Sequence, residues 1–209
     1  GGIRNPMVVT WPQAISAHGE LRSQFGHVND IMPTILEAAH IPPPAAVNGV
    51  DQRRIDGVSL VYSFNQKNAP ERHTTQYFEM YGHRAIYHNG WMASAFHTLL
   101  PWSHAPLPAK PFEADKWELY DLHKDFSQAH DLGAQQPARL EEMKALFLKE
   151  AEANQVLPLA ENYRGGRRVS LAQNRSEYTY YPGAIVPQDE APQLFNRSWT
   201  ITAKLNITE

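Results

Sequence analysis

Ten histidines and no cysteine set the chemistry this 209-residue chain can offer. Without cysteine there is no disulfide, no thiolate metal ligand and no cysteine nucleophile. The histidines are not spaced for zinc, because neither His-x3-His nor His-Glu-x-x-His occurs. His83 and His88 stand an odd number of residues apart on one expected strand, so they face opposite sides of it. The reading is of surface or hydrogen-bonded histidines, with no metal site. The densest chemistry is Glu79, Tyr81, His83 and Arg84, expected at one end of a small sheet. Arg84 has the fork geometry to hold an anion bidentately. The alternative is a Glu79–Arg84 salt bridge beside exposed polar groups, and the spacing leaves both open. Trp102 and His104 lie in a Pro-rich stretch suited to a pocket rim or to a packed surface loop. Arg164, Arg167 and Arg168 flank Gly165-Gly166 and read as an anion-binding turn or a solvated linker.

The elements that must position these residues are legible in outline. Met7-Val8-Val9-Thr10-Trp11 is apolar and β-prone, so residues 6–12 are expected as a buried strand. Asp30 is a good helix N-cap, and Pro33 falls in the first turn, where its missing N–H is not needed. Ile31, Met32, Ile35, Leu36 and Ala39 keep helical spacing until Pro42-Pro43-Pro44 stops the helix near Ile41. Residues 42–57 are expected as a loop with Asn48-Gly49 and Asp56-Gly57 turns, followed by a short turn or strand over 58–64. Residues 75–80 read as a strand. Residues 84–88, Asn89-Gly90 and 91–96 read as a hairpin, because Asn-Gly accepts the positive φ of a type I′ turn. Residues 99–113 are expected as a surface loop and 117–122 as another strand, giving an antiparallel sheet of about four strands. Pro137 opens a second helix whose Leu140, Met143, Phe147 and Ala151 recur every three to four residues and cover one sheet face. Residues 198–207 alternate as a final strand.

Composition narrows the class. The net charge of −3 offers no basic field for nucleic acid, and no apolar run reaches the roughly 20 residues of a membrane span. The first six residues, Gly1-Gly2-Ile3-Arg4-Asn5-Pro6, carry no initiator Met and lead at once into the apolar strand. The chain is therefore expected to be cut from a larger protein. Asn174, Asn196 and Asn206 begin Asn-x-Ser/Thr patterns of a kind that arises readily by chance.

Several stretches together resemble the sulfatase family. They are Gly1-Gly2-Ile3-Arg4 with Trp11-Pro12, His27-Val28-Asn29-Asp30-Ile31-Met32-Pro33-Thr34-Ile35-Leu36, Asp56-Gly57-Val58-Ser59-Leu60, Tyr77-Phe78-Glu79-Met80, Gly90-Trp91 and Trp117-Glu118-Leu119-Tyr120-Asp121-Leu122. Their order resembles the C-terminal half of bacterial arylsulfatases over residues 1–160, with Met92 standing where the family often has Lys and Ala160 where it often has Asp. Residues 161–209 more loosely resemble the connection into an extra C-terminal β-sandwich.

The resemblance implies an α/β, alkaline-phosphatase-like fold for the parent enzyme, α+β within this segment. It implies hydrolysis of sulfate esters by a formylglycine made from Cys or Ser in a Cys/Ser-x-Pro-x-Arg motif, assisted by calcium. No catalytic residue and no metal ligand of that apparatus can be matched here, and the family's sulfate-binding Lys lies just before the Gly1-Gly2 pair. Three parts are expected: residues 1–65 with the main α/β domain, 66–160 as a sheet-plus-helix subdomain, and 161–209 as linker and first strand of a further β domain. The substrate-pocket candidates are Arg4, Glu79, His83, Arg84, Trp102 and His104. The expected partners are a sulfate ester and the rest of a sulfatase chain. The segment alone is expected to be inactive. Two other readings stay open: a phosphonate or phosphate-ester hydrolase of the same fold, and a noncatalytic module that binds carbohydrate or protein.

Overall fold

The computed structural model describes residues 5–97, 110–159, 175–186, 191–192, 194 and 196–205. It divides into two units, residues 1–159 and 160–209. The first unit is organised by a four-stranded antiparallel sheet of β3 (Thr75–Met80), β4 (His83–His88), β5 (Trp91–Ala95) and β6 (Trp117–Asp121), in that spatial order. Two of its connections are two-residue turns with both central residues at positive φ. Tyr81-Gly82 (57° and 84°) joins β3 to β4, and Asn89-Gly90 (46° and 80°) joins β4 to β5. That backbone matches the right-handed twist of the flanking strands. The Asn89-Gly90 hairpin forms as expected. Within the 42–57 stretch a third turn of this kind, Asn48-Gly49, closes a small ladder of β1 (Ala46–Val47) and β2 (Val50–Asp51).

Helix α2 (Pro137–Ala153) starts on proline and lies across all four strands. Its Met143, Phe147 and Ala151 meet Ile86, Ala93 and Leu119 in a core sealed at its margin by Trp117 and Leu140. The opposite sheet face holds Tyr87, Met92 and Tyr120. There Phe25 stacks on Tyr87 with ring centroids 3.8 Å apart, and Glu71 accepts the Tyr87 hydroxyl at 2.5 Å. The outer edge of β6 is satisfied locally. Leu119 donates to Asp131 Oδ1 at 3.0 Å, and Leu132 donates to the Leu119 carbonyl at 2.8 Å. An edge so occupied offers no free ladder to another strand.

Two expected strands do not form. Residues 5–10 enter no ladder and are exposed, because no strand among the described residues lies beside them. Residues 196–205 of the second unit likewise form no ladder, and Trp199, Ile201 and Leu205 are exposed. β-propensity expresses a fit to a pleated, half-buried surface, and neither stretch finds one here. The first helix, α1 (Ile31–Ala38), forms behind a 3-10 turn over Val28–Asp30 and buries none of its side chains.

Candidate functional site

Chemistry-bearing side chains gather at the sheet end that carries the Tyr81-Gly82 turn. Ala95 pairs with Trp117, so the same register carried two residues outward sets His97 opposite Asp115. The Asp115 carboxylate is fully buried and gathers three partners. Arg84 Nη2 and His97 Nδ1 reach Oδ2, the latter at 2.8 Å, and Lys110 Nζ reaches Oδ1 at 2.8 Å. Burial alone would raise the Asp115 carboxyl. The hydrogen bonds from Lys110 and His97 and the positive charge of Arg84 outweigh it and hold the group below its ordinary value. Burial lowers the Arg84 guanidinium, and Asp115 opposes that shift.

The Arg84 guanidinium also lies over the rings of Phe112 (5.1 Å) and Trp117 (5.3 Å), and Phe112 stacks on His97 at 4.0 Å. Gly82 is pinned between them. A Cβ there would stand 2.7 Å from Phe112 Cε1 and 3.0 Å from His97 Cδ2. Among the described residues, Arg84 Nε and His97 Nε2 are buried with no hydrogen-bond partner.

The expected site residues divide into three groups. Glu79 is exposed; it lies across from Arg84 in the register, yet its Oε1 accepts the Gly82 N–H at 2.8 Å and so steadies the turn. The salt bridge Arg84 makes is therefore with Asp115 rather than Glu79, and the guanidinium is buried behind the surface. His83 is half-buried, lies tilted against the exposed Phe96 with ring centroids 4.7 Å apart and accepts the His97 N–H on Nδ1 at 3.2 Å. A neutral ring accepting on Nδ1 carries its proton on Nε2. Glu79, His83 and Arg84 thus share one sheet end. Arg4, Trp102 and His104 lie outside the described residues, as does the basic turn at 164–168. His97, Asp115 and Lys110 were missed because they are far apart in sequence, and only the β5–β6 register brings the first two together.

A second buried carboxylate serves differently from its sequence expectation. Asp30 stands at the N-cap position of α1 but makes no capping bond to it. Its carboxylate accepts from His27 N (2.8 Å), Val58 N (2.7 Å) and His73 Nδ1 (2.8 and 2.9 Å to its two oxygens). Burial would raise this carboxyl, but the hydrogen bonds from His73, Val58 and His27 leave it below its ordinary value. Asp30 thereby ties the start of α1 to the 57–60 segment and to the approach to β3. Gly57 is required for this closeness, since a Cβ would fall 2.0 Å from the Asn29 carbonyl oxygen.

The calcium and formylglycine implied by the family resemblance do not fit these residues. Among the described residues no group of three or more His, Cys, Asp or Glu converges as a metal would need, and the sequence contains no Cys/Ser-x-Pro-x-Arg. The same residues contain no helix long and apolar enough to cross a membrane.

Comparison with known proteins places these features in a family. Residues 1–153 match the C-terminal family of N-sulphoglucosamine sulphohydrolase. An uncharacterized sulfatase of Schizosaccharomyces pombe is 30% identical over 151 residues, 71% of this chain and 25% of that protein. The N-acetylgalactosamine-6-sulfatase of Sus scrofa is 36% identical over 72 residues, 34% of this chain and 12% of that protein. The chain thus spans a quarter or less of these two relatives. Among solved structures, one of a protein in complex with its substrate D-glucosamine-2-N,6-O-disulfate aligns over 71% of this chain and 28% of its own. Its TM-score is 0.47 at 19% identity. On the match of residues 1–153, this chain belongs to the sulfatase family and carries that family's C-terminal region.

Proposed function

We propose that this chain is the C-terminal portion of a sulfuric ester hydrolase of the arylsulfatase type, inactive without the portion that carries the catalytic groups. The observation that carries the reading is the match of residues 1–153 to a sulfatase C-terminal family. The names of the relatives favour a sulfated amino sugar as the substrate class. Residues 1–65 would pack with the main α/β domain, residues 66–160 would form the sheet-plus-helix subdomain, and residues 161–209 would act as a linker. The nucleophile and the calcium would sit in the catalytic portion.

The role left to this chain is to shape the substrate's surroundings. The Tyr81-Gly82 end of the sheet would face the pocket. Glu79 offers an exposed carboxylate that can accept from a sugar hydroxyl. His83 has a ring orientation fixed by the His97 N–H and by Phe96. Arg84 would act from behind, holding Asp115 and His97 in place rather than touching sulfate. Arg4, Trp102 and His104 remain candidates for the pocket rim.

The test is sulfate release from an aryl sulfate and from glucosamine 6-sulfate. The isolated chain gives no turnover. A sulfatase carrying this chain as its C-terminal portion is active, and Glu79→Gln and His83→Gln raise its KM more than they lower its kcat. Calcium-dependent turnover by the isolated chain would sink the reading.

A further inference from the structure

His73 has a hydrogen-bond acceptor on each of its ring nitrogens. Its Nδ1 lies 2.8 and 2.9 Å from the two oxygens of Asp30, and its Nε2 lies 3.1 Å from the Thr75 carbonyl at the start of β3. His73 is 5% exposed and Asp30 is fully buried, so the two groups answer to each other rather than to bulk solvent. A backbone carbonyl only accepts, and so does an ionised carboxylate. Asp30 titrates below its ordinary value, and its oxygens also accept the His27 and Val58 N–H groups. Two acceptor-only partners require a proton on each ring nitrogen, whereas neutral imidazole carries one. A neutral ring would set a nitrogen lone pair against either the Thr75 carbonyl or the carboxylate, in a buried site where an unmade bond is costly. Turned over, the ring would present C–H groups to both partners and make neither bond.

We propose that His73 and Asp30 form a buried imidazolium–carboxylate clasp that is closed when His73 is protonated and opens as pH rises. The clasp joins separate segments. Asp30 stands at the start of α1 and holds Val58, and Thr34, one turn along the helix, accepts the Leu60 N–H at 2.9 Å. His73 carries that assembly to β3 through Thr75. When the clasp opens, α1 and the 57–60 segment keep their bonds to each other. Their hold on the sheet is then reduced to such contacts as the Asn29–Gln76 bond at 3.3 Å and the His27 ring against Phe78. The closed form keeps a proton that the open form releases, so rising pH favours opening. Strong acid attacks the same clasp from the other side, by protonating Asp30.

The other groups around the ring have partners of their own or stand further off. Phe25 presents an uncharged ring edge at 5.2 Å, and the His27 ring centroid is 6.5 Å away. His88 Nδ1 is paired with Thr75 Oγ1 at 2.8 Å. Glu71 accepts from the Phe25 N–H and the Tyr87 hydroxyl, and the Arg72 guanidinium lies over the Tyr62 ring at 4.4 Å. His27 and His88 are therefore the two rings from which the test must separate His73.

The test is magnetic resonance of the ring nitrogens and backbone amides of the isotope-labelled 209-residue chain, with His73 assigned through its own side-chain correlations. At about pH 5.5, a unit below the ordinary histidine value of about 6.5, both ring nitrogens of His73 carry a proton. Between about pH 5.5 and about pH 8, on either side of that value, the Val58 amide resonance moves with the same midpoint as the His73 ring. His27→Gln and His88→Gln leave that movement in place. Over the same range the urea unfolding midpoint falls, and His73→Gln loses most of the fall. The spectra of the unaltered chain decide the matter, so a variant that does not fold leaves the test intact. Four results overturn the proposal: a single N–H on the His73 ring at the acid end, a Val58 amide that does not follow His73, a movement abolished by His27→Gln or His88→Gln, or an unfolding midpoint with the same pH dependence in His73→Gln. The third assigns the titration to the other ring.

Discussion

Helices α1 and α2 belong to the same folded unit, yet they use their apolar stripes in opposite directions. In α2, Met143, Phe147 and Ala151 are buried against Ile86, Ala93 and Leu119, and the sheet beneath is part of the same chain. In α1 the stripe points away, and the helix is held through a buried carboxylate and a threonine hydroxyl. The helix-covered face of the sheet is thus completed within this chain, with Phe25 packed on its other face, while α1 leaves Ile31, Met32 and Ile35 exposed. Non-directional burial holds the first region, and directed hydrogen bonds aim the second.

The contrast breaks most sharply in the core. Phe147→Ala removes a fully buried ring and should cost about 3–5 kcal/mol in urea unfolding, whereas Ile35→Ala should stay within about 0.5 kcal/mol. Equal costs for the two would erase the distinction. The buried carboxylates come next. Asp115→Ala leaves Arg84 and His97 buried without their acceptor and should cost about 3 kcal/mol, read by the same unfolding curves. Asp30→Ala should cost a similar amount but concentrate its effect in α1, seen as loss of amide protection there before the sheet responds.

Smaller effects come from the turns and from pH. Gly90→Ala meets both a φ of 80° and His123 Nε2 at 1.9 Å, and should cost about 2 kcal/mol. Gly49→Ala has φ of 78° with nothing within 4 Å and should cost about 1 kcal/mol. In acid the sign follows from the two carboxylates. Asp30 and Asp115 both titrate below their ordinary value when folded, so the unfolded chain binds more protons at low pH. Their stabilisation is complete above the unfolded value of about 3.9 and fades as pH falls through the lower folded values. The thermal unfolding midpoint should fall below about pH 4, and Asp30→Asn should flatten that slope.

The sheet was legible because its signals are local. Asn89-Gly90 announces a type I′ turn, and Leu140, Met143, Phe147 and Ala151 announce one helix face. The Tyr81-Gly82 turn was not legible, since tyrosine seldom takes positive φ; the Glu79 carboxylate that steadies it is a side-chain contact, not a composition cue. The strand expected at 6–12 failed because a strand is a relation between two segments and the described residues supply only one. The site was half legible. Glu79, His83 and Arg84 do share an end of the sheet, but the Asp115–His97 pairing depends on a register that spans residues 95 to 117. Asp30 was identified by position as a cap and serves instead as a tether, because its partners His27, Val58 and His73 lie behind the helix rather than along it.

The most direct measurement of the central claim is native-state hydrogen exchange on the 209-residue chain alone. Amides of α2 and of the central strands β4 and β5 should exchange only with global unfolding. Amides of α1 should exchange through openings at least about 2 kcal/mol cheaper. Protection in α1 as high as in α2 would mean that residues 5–41 are completed within this chain, and would contradict the account.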